Sequence, residues 1–194
     1  MFRDQVSDIA TSGFVVRDLM INGSDMSDEG LLICERIKEV MMMCDREDPV
    51  YEQISSFSIA LYILGYFDCP DLMSFQDVDS QEAAAILKEY FTPINVEAVP
   101  WDYSVVQSDE KYLLVVGDPL FPLHFAVLTD FRTERPYFSK LPLFGSGFDS
   151  LSELMDEFSG YDGVNQYEVH YFRRNPDVLQ SSAIRKGQIY IVRD

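Results

Sequence analysis

YLLVVGDPLFPLHFAVLTDF, residues Tyr112 to Phe131, decides the fold. Its two apolar runs, LLVV and LHFAVL, are separated by Gly117-Asp118-Pro119. Apolar, β-branched and aromatic runs of about four to eight residues, bounded by Gly and Pro, read as buried strands. Pro119 and Pro122 have no N–H to give a ladder and belong to the connection. The spacing predicts two neighbouring central strands, over 112–117 and 123–131, with His124 at the start of the second.

Upstream of this stretch the pattern is helical. Ser27 is an N-cap candidate followed by Asp28 and Glu29, which suit the positive end of a helix. Ile33, Ile37, Val40 and Cys44 then fall on one narrow arc at about 100° per residue, and Asp28, Glu35 and Glu39 fall on the far side. A second helix is expected over 49–64, with Asp48 as cap and Pro49 in its first turn. Ile54, Phe57, Leu61 and Leu64 mark its buried face, and Gly65 is its stop. FDCPDLMSFQDVD (67–79) reads as a solvated acidic loop, because Asp68, Asp71, Asp77 and Asp79 lack the spacing and the closing Glu of a calcium loop. Ser80 opens a third helix that ends at Thr92-Pro93. Residues 2–10 fit a short helix, 14–16 a short strand, and Asn95 to Val99 a strand.

Downstream, RTERPYFSKLPLFGSG reads as a long connection carrying aromatic residues. Ser150 and Glu153 form a capping-box pattern ahead of a helix that reaches Phe158. Gln166 to Phe172 alternates as a strand, with His170 beside Glu168, and QIYIV (188–192) is a last strand. GSGFDS (145–150) has glycines before a helix, the geometry of an anion site, although a plain loop is the commoner meaning. Helices early and strands late give an α+β class: a single domain, 1–194, with a central, mainly antiparallel sheet and helices packed on it.

Composition narrows the function. Hydrophobic residues are 47% and aromatics 13%, enough for a sizeable core. No apolar run approaches the roughly 18 residues of a membrane helix, and the first residues carry acids where a secretory signal needs a basic start. The expectation is a soluble cytoplasmic protein. Cys34, Cys44 and Cys69 are odd in number and lack C-x-x-C spacing, so neither a disulfide framework nor a zinc site is expected, and no cofactor motif is present.

Charge is the strongest signal. The net charge is −18, and residues 1–100 hold 19 acids against 6 bases, net −13. Such a chain repels nucleic acid and anionic membranes and attracts basic protein surfaces. An acidic surface that only confers solubility and a salt-adapted source are competing accounts. The functional account makes Asp28, Glu35 and Glu39 a binding face for a basic or nucleic-acid-binding partner, and an accessory or inhibitor protein of a virus or mobile element, working in a host cytoplasm, fits it. A structural subunit of a larger assembly, using the aromatics at its contacts, is a further alternative. The oligomeric state is left open.

QISSFSIAL (53–61) and HFAVLTDF (124–131) carry one family resemblance. Over about residues 50–131 the chain resembles the papain-like cysteine peptidases that process bacteriocin leaders. Their nucleophilic Cys opens the central helix in a pattern like Q-x-x-x-C-G-x-x-x-L, and their His begins a strand in a pattern like H-F-x-V-L. The resemblance implies a papain-like fold with Ser56 in the place of the Cys, Phe57 in the place of the Gly, and His124 as the base. Without the thiol, and with no orienting carboxylate at the expected spacing, no peptidase activity is expected. His124 is then a core or strand-end histidine; the alternative is a papain-like hydrolase, or an inactive remnant of one, with His124 and Ser56 in its site.

Overall fold

A computed structural model of the chain describes residues 27–44, 54–67, 69–74, 76–142, 144–159 and 167–176. Its helices are α1 (Asp28–Met43), α2 (Ser56–Ile63), α3 (Ser80–Tyr90) and α4 (Leu151–Phe158). Its strands are β1 (Phe91–Ile94), β2 (Tyr112–Val116), β3 (His124–Leu128), β4 (Tyr137–Leu141), β5 (Gly145–Asp149) and β6 (Val169–Arg174). They form one sheet in the order β1-β6-β2-β3-β4-β5, antiparallel throughout. The chain is therefore α+β, with helices packed against a central antiparallel sheet.

The two runs of the deciding stretch are neighbours, paired from Val116 with His124 to Leu113 with Val127. β2, β3, β4 and β5 are buried along their whole length, as strands covered on both faces must be. Phe57 of α2 meets Phe125 edge to face at 4.9 Å, and Leu61 and Leu64 are fully buried, while Ile54 packs at the margin of the core. Side chains alternate along a strand, so His124 faces the other way, where Phe158 of α4 lies 5.0 Å from its ring.

Local chemistry sets the helix ends. Ser27 accepts from the Gly30 N–H at 3.0 Å, and Asp79 and Ser150 form capping boxes with Glu82 and Glu153. The helix expected over 49–64 is shorter: Ser55 is extended and caps α2, which starts at Ser56, while 48–53 lie outside the described residues. It ends in a Schellman motif: Gly65 takes a positive φ of 78°, its N–H reaches the Tyr62 carbonyl and the Tyr66 N–H reaches that of Leu61. The readings over 2–10, 14–16 and 188–192 also fall outside the described residues.

Several expectations are corrected. Asn95 to Val99 is not a strand: Asn95 caps a short 3-10 turn at Val96–Ala98. The strand is β1, which contains Pro93, and an edge position tolerates a residue that cannot donate. RTERPYFSKLPLFGSG is not a connection but contributes β4 and the start of β5, and GSGFDS is strand rather than a loop before a helix. The polar Lys140 and the small Gly145-Ser146-Gly147 hide these strands, which burial between layers stabilises. Ser146 donates to the Cys44 carbonyl at 2.9 Å, so its polarity is satisfied inside.

α1 lies close against the segment before β2. A methyl group on Gly30 would sit 2.1 Å from the Val106 carbonyl oxygen, well inside contact distance. Gly30→Ala must push α1 away from that backbone. We expect a loss of about 1–3 kcal/mol in denaturant unfolding, whereas ordinary helix propensity would favour the alanine.

Candidate functional site

The start of α2 and the start of β3 are where the sequence places reactive groups. Ser55 caps the helix, its Oγ accepting from the Ser58 N–H at 3.1 Å. Asp77 reaches the same helix end: its Oδ1 accepts from the Ser55 N–H at 3.0 Å and from the Ser58 hydroxyl at 2.5 Å. Ser58 Oγ in turn accepts from the Val78 N–H at 2.8 Å. A carboxylate there answers the unpaired N–H groups and the positive end of the helix dipole. Ser56, half-buried, accepts from the Phe125 N–H at 3.2 Å. The hydroxyls thus tie α2 to the 77–78 segment and to β3.

His124 is 1% exposed, and its Nε2 has no hydrogen-bond partner. Burial, followed by the positive charge of Lys140, pushes its pKa down to about 3. A general base works best with a pKa near the ambient pH, and this imidazole stays neutral and enclosed far below it. Ser56 and His124 therefore lie at the same end of the sheet, but strand alternation turns the imidazole to the face covered by α4. His170 lies 3.6 Å from Glu168 at the surface, an ordinary exposed pair.

The proposed binding residues divide. Asp28 and Glu35 are exposed on the outer side of α1, with Leu31 and Leu32 between them and Met42 further along the same stripe. Glu39 is held inside the structure: its Oε1 accepts from the Leu72 N–H at 2.9 Å and its Oε2 from the Tyr62 hydroxyl. Burial and the Glu39 contact raise the Tyr62 pKa well above its ordinary value, so the phenol remains a donor. Helical spacing puts Glu39 on the acidic stripe but cannot show that the 72–74 turn folds over it.

A further acid that sequence reasoning treated only as a helix-start residue, Glu29, organises an internal ion cluster. It accepts from Arg174 of β6 at 2.6 Å and lies 3.8 Å from the Lys111 ammonium. Arg174 also reaches the Leu64 carbonyl at 2.6 Å, and Lys111 the Ser108 carbonyl. Lys111 is buried, which lowers its pKa, and Glu29 is the main influence opposing that fall.

Among the described residues no group of His, Cys, Asp or Glu is arranged to hold a metal ion, and no helix is long and apolar enough to cross a membrane. Cys34 and Cys44 are buried, and burial raises both thiols above their ordinary range. Compared with known proteins, the chain matches no family model, no curated protein and no solved structure.

Proposed function

We propose that this is a non-enzymatic binding protein whose acidic surface engages a basic surface on another protein. The observation that carries this reading is where the bases are. Among the described residues the exposed bases are Lys88, Arg132 and Arg173. Arg132 is paired with Asp130 at 2.5 Å and Arg173 with Glu110 at 2.9 Å. Arg135 is paired with Glu153, Arg174 and Lys111 serve Glu29, Arg36 lies over the Tyr62 ring and Lys140 is buried. Lys38 is half-buried on α1. Among the described residues most of the positive charge thus supports the fold, and exposed carboxylates are left in excess to face the solvent.

α1 offers the best-defined contact surface. Its outer stripe alternates exposed carboxylates, Asp28 and Glu35, with exposed apolar groups, Leu31, Leu32 and Met42. Charges on such a stripe accelerate encounter, and apolar anchors hold the complex once formed. With a partner isolated from the native source, Asp28→Lys combined with Glu35→Lys should lower the association rate by about tenfold at low salt and leave the unfolding midpoint unchanged. The wild-type rate should itself fall as salt rises through about 0.1 M, where the screening length is about 10 Å. A partner that binds the double variant normally at every salt concentration would sink the proposal. Glu39 is left out of the reversal, because its loss would destabilise the fold.

A papain-like remnant is the second reading, favoured by the hydrogen bond that seats the start of α2 against β3. It predicts architecture without turnover. Incubation with peptide substrates and with a fluorophosphonate probe should give neither cleavage nor labelling of Ser56. Labelling abolished by Ser56→Ala would make the protein an enzyme and overturn our main reading.

A further inference from the structure

Asp28, Leu31, Leu32, Glu35 and Met42 are all exposed on α1 and fall within an arc of about 100° at helical spacing, opposite the buried Ile33, Ile37 and Val40. Met42 is 77% exposed. The stripe is interrupted at Glu39, where the short 3-10 turn Leu72–Ser74 folds in and the Leu72 N–H donates to the carboxylate at 2.9 Å. That turn brings Met73, 54% exposed, beside the stripe. The exposed Asp71 fixes it, its Oδ1 accepting from the Met73 N–H at 3.0 Å and from the Ser74 hydroxyl at 2.7 Å. Two distant parts of the chain thus build one surface, in which exposed Leu and Met groups are interleaved with Asp28, Glu35 and Asp71. Lys38, half-buried at its edge, leaves it net negative. α1 also has no basic side chain in its last turn to offset the negative end of its dipole.

This composition selects among the ways of binding a protein segment. The side of a helix has no free ladder of N–H and C=O groups, so an extended strand gains no backbone hydrogen bonds there. α1 holds no aromatic residue, so it offers no lined groove to a proline-rich segment. Methionine is unbranched and polarisable and adapts to the side chains it meets. Helices pack side by side by setting such groups between each other's ridges. From Asp28 to Met42 α1 runs about 21 Å, roughly four turns of a second helix. Because acids and apolar groups share the same turns, the matching helix carries Lys or Arg beside Leu or Met in each of its turns. A second copy of this chain does not supply them: its own stripe would set carboxylates against carboxylates, with a net charge of −18 on each molecule. We propose that the surface formed by α1 and the Leu72–Ser74 turn seats a basic amphipathic helix of the partner. The proposal rests on the acidic-surface reading and deepens it by naming the partner's structural class and adding Met73 to the contact.

The test is an amide NMR titration of the full chain at about 0.15 M salt, where long-range attraction is screened. It uses three synthetic peptides of about 18 residues, five helical turns each. The first is a leucine–lysine sequence with its apolar residues at helical spacing. The second has the same composition in an order that gives no apolar face. The third keeps the apolar spacing and carries glutamate in place of lysine. The first should shift resonances of α1 and of residues 71–74, the second should bind at least about tenfold more weakly, and the third should leave them unmoved. Met42→Ser combined with Met73→Ser should weaken binding of the first peptide by about tenfold. The thermal midpoint of that double variant should stay near the wild-type value, because both side chains are exposed. Equal binding of the first two peptides, shifts centred away from α1 and the turn, or no shift at about 1 mM of the first peptide would each overturn the proposal. So would α1 shifts that follow protein concentration without peptide, which would make a second copy the occupant. With the partner itself the two readings fail separately. A partner slowed by Asp28→Lys with Glu35→Lys but indifferent to Met42→Ser with Met73→Ser would keep the acidic surface and remove the helix seat. A partner indifferent to both double variants would remove both.

Discussion

Replacing His124 with leucine should remove a large part of the protein's sensitivity to acid. Burial, with Lys140 behind it, holds the folded-state pKa at about 3, against an ordinary value near 6.5. Between those two values the unfolded chain binds a proton that the folded chain refuses. The stability contributed by neutral His124 is therefore complete above about pH 6.5 and falls as pH drops, by about 1.4 kcal/mol for each unit. Down to pH 3 the total is about 5 kcal/mol, and between pH 7 and pH 4.5 it is about 3 kcal/mol. Carboxylates with lowered pKa, such as Glu110 and Glu153, add acid sensitivity of their own. The measurement is therefore a difference: urea unfolding of wild type and His124→Leu at half-unit steps from pH 7 to 4.5. The two curves should converge in midpoint near neutrality or favour leucine, because Nε2 has no partner to lose. They should separate steadily as pH falls, with the variant the more stable. Parallel curves would mean that the imidazole is protonated inside the fold, and the enclosed, uncharged histidine described above would be wrong.

Glu29→Ala should be severe for a residue that is 36% exposed at a helix start. Its carboxylate is the shared counter-ion of Arg174, 10% exposed, and of Lys111, whose side chain is fully buried. Removing one partner of a buried pair leaves a charge that water cannot reach, which typically costs about 3–5 kcal/mol. The partial exposure of Glu29 weakens its attraction to both cations, so about 2–4 kcal/mol is the expected loss. The same substitution at Asp28, one residue earlier and exposed, should change stability by less than about 0.5 kcal/mol. Lys111→Met in the Glu29→Ala background should recover part of the loss, because it removes the stranded ammonium and keeps the apolar stem. A Glu29→Ala protein as stable as Asp28→Ala would show that the cluster does not join α1 to the sheet.

These two residues mark the boundary of what could be read from the chain. His124 sits in a pattern that says strand, and the strand is there. Its neutrality depends on Phe158, some thirty residues later, and on the layer that α4 adds to the sheet. Glu29 is legible as a favourable first-turn acid. That it gathers Lys111 and Arg174 follows only when β6 pairs with β2 and brings position 174 beside the start of α1.

The sequence alone determined what depends on local spacing. The caps of α1, α3 and α4 come from side chains within three residues of the N–H groups they bind, and the stop of α2 from one glycine. β2 and β3 are apolar enough, and close enough in the chain, to be recognised as a pair. The net charge and its surplus in the first half are likewise properties of composition. Only the tertiary structure decided the rest. β4 and β5 carry Lys140, Ser146 and two glycines and have little strand signal, yet burial under α2 for β4, and under α1 and α4 for β5, makes strand the state that satisfies their backbone. Glu39 looks like its neighbours on an acidic stripe until the turn at Leu72 folds over it, and Glu35 remains in solvent. Hydrophobic periodicity fixes which side of a helix faces inward. Which polar groups are then covered, paired or left to meet a partner is decided by contacts between residues far apart in the chain, and no local pattern carries that information.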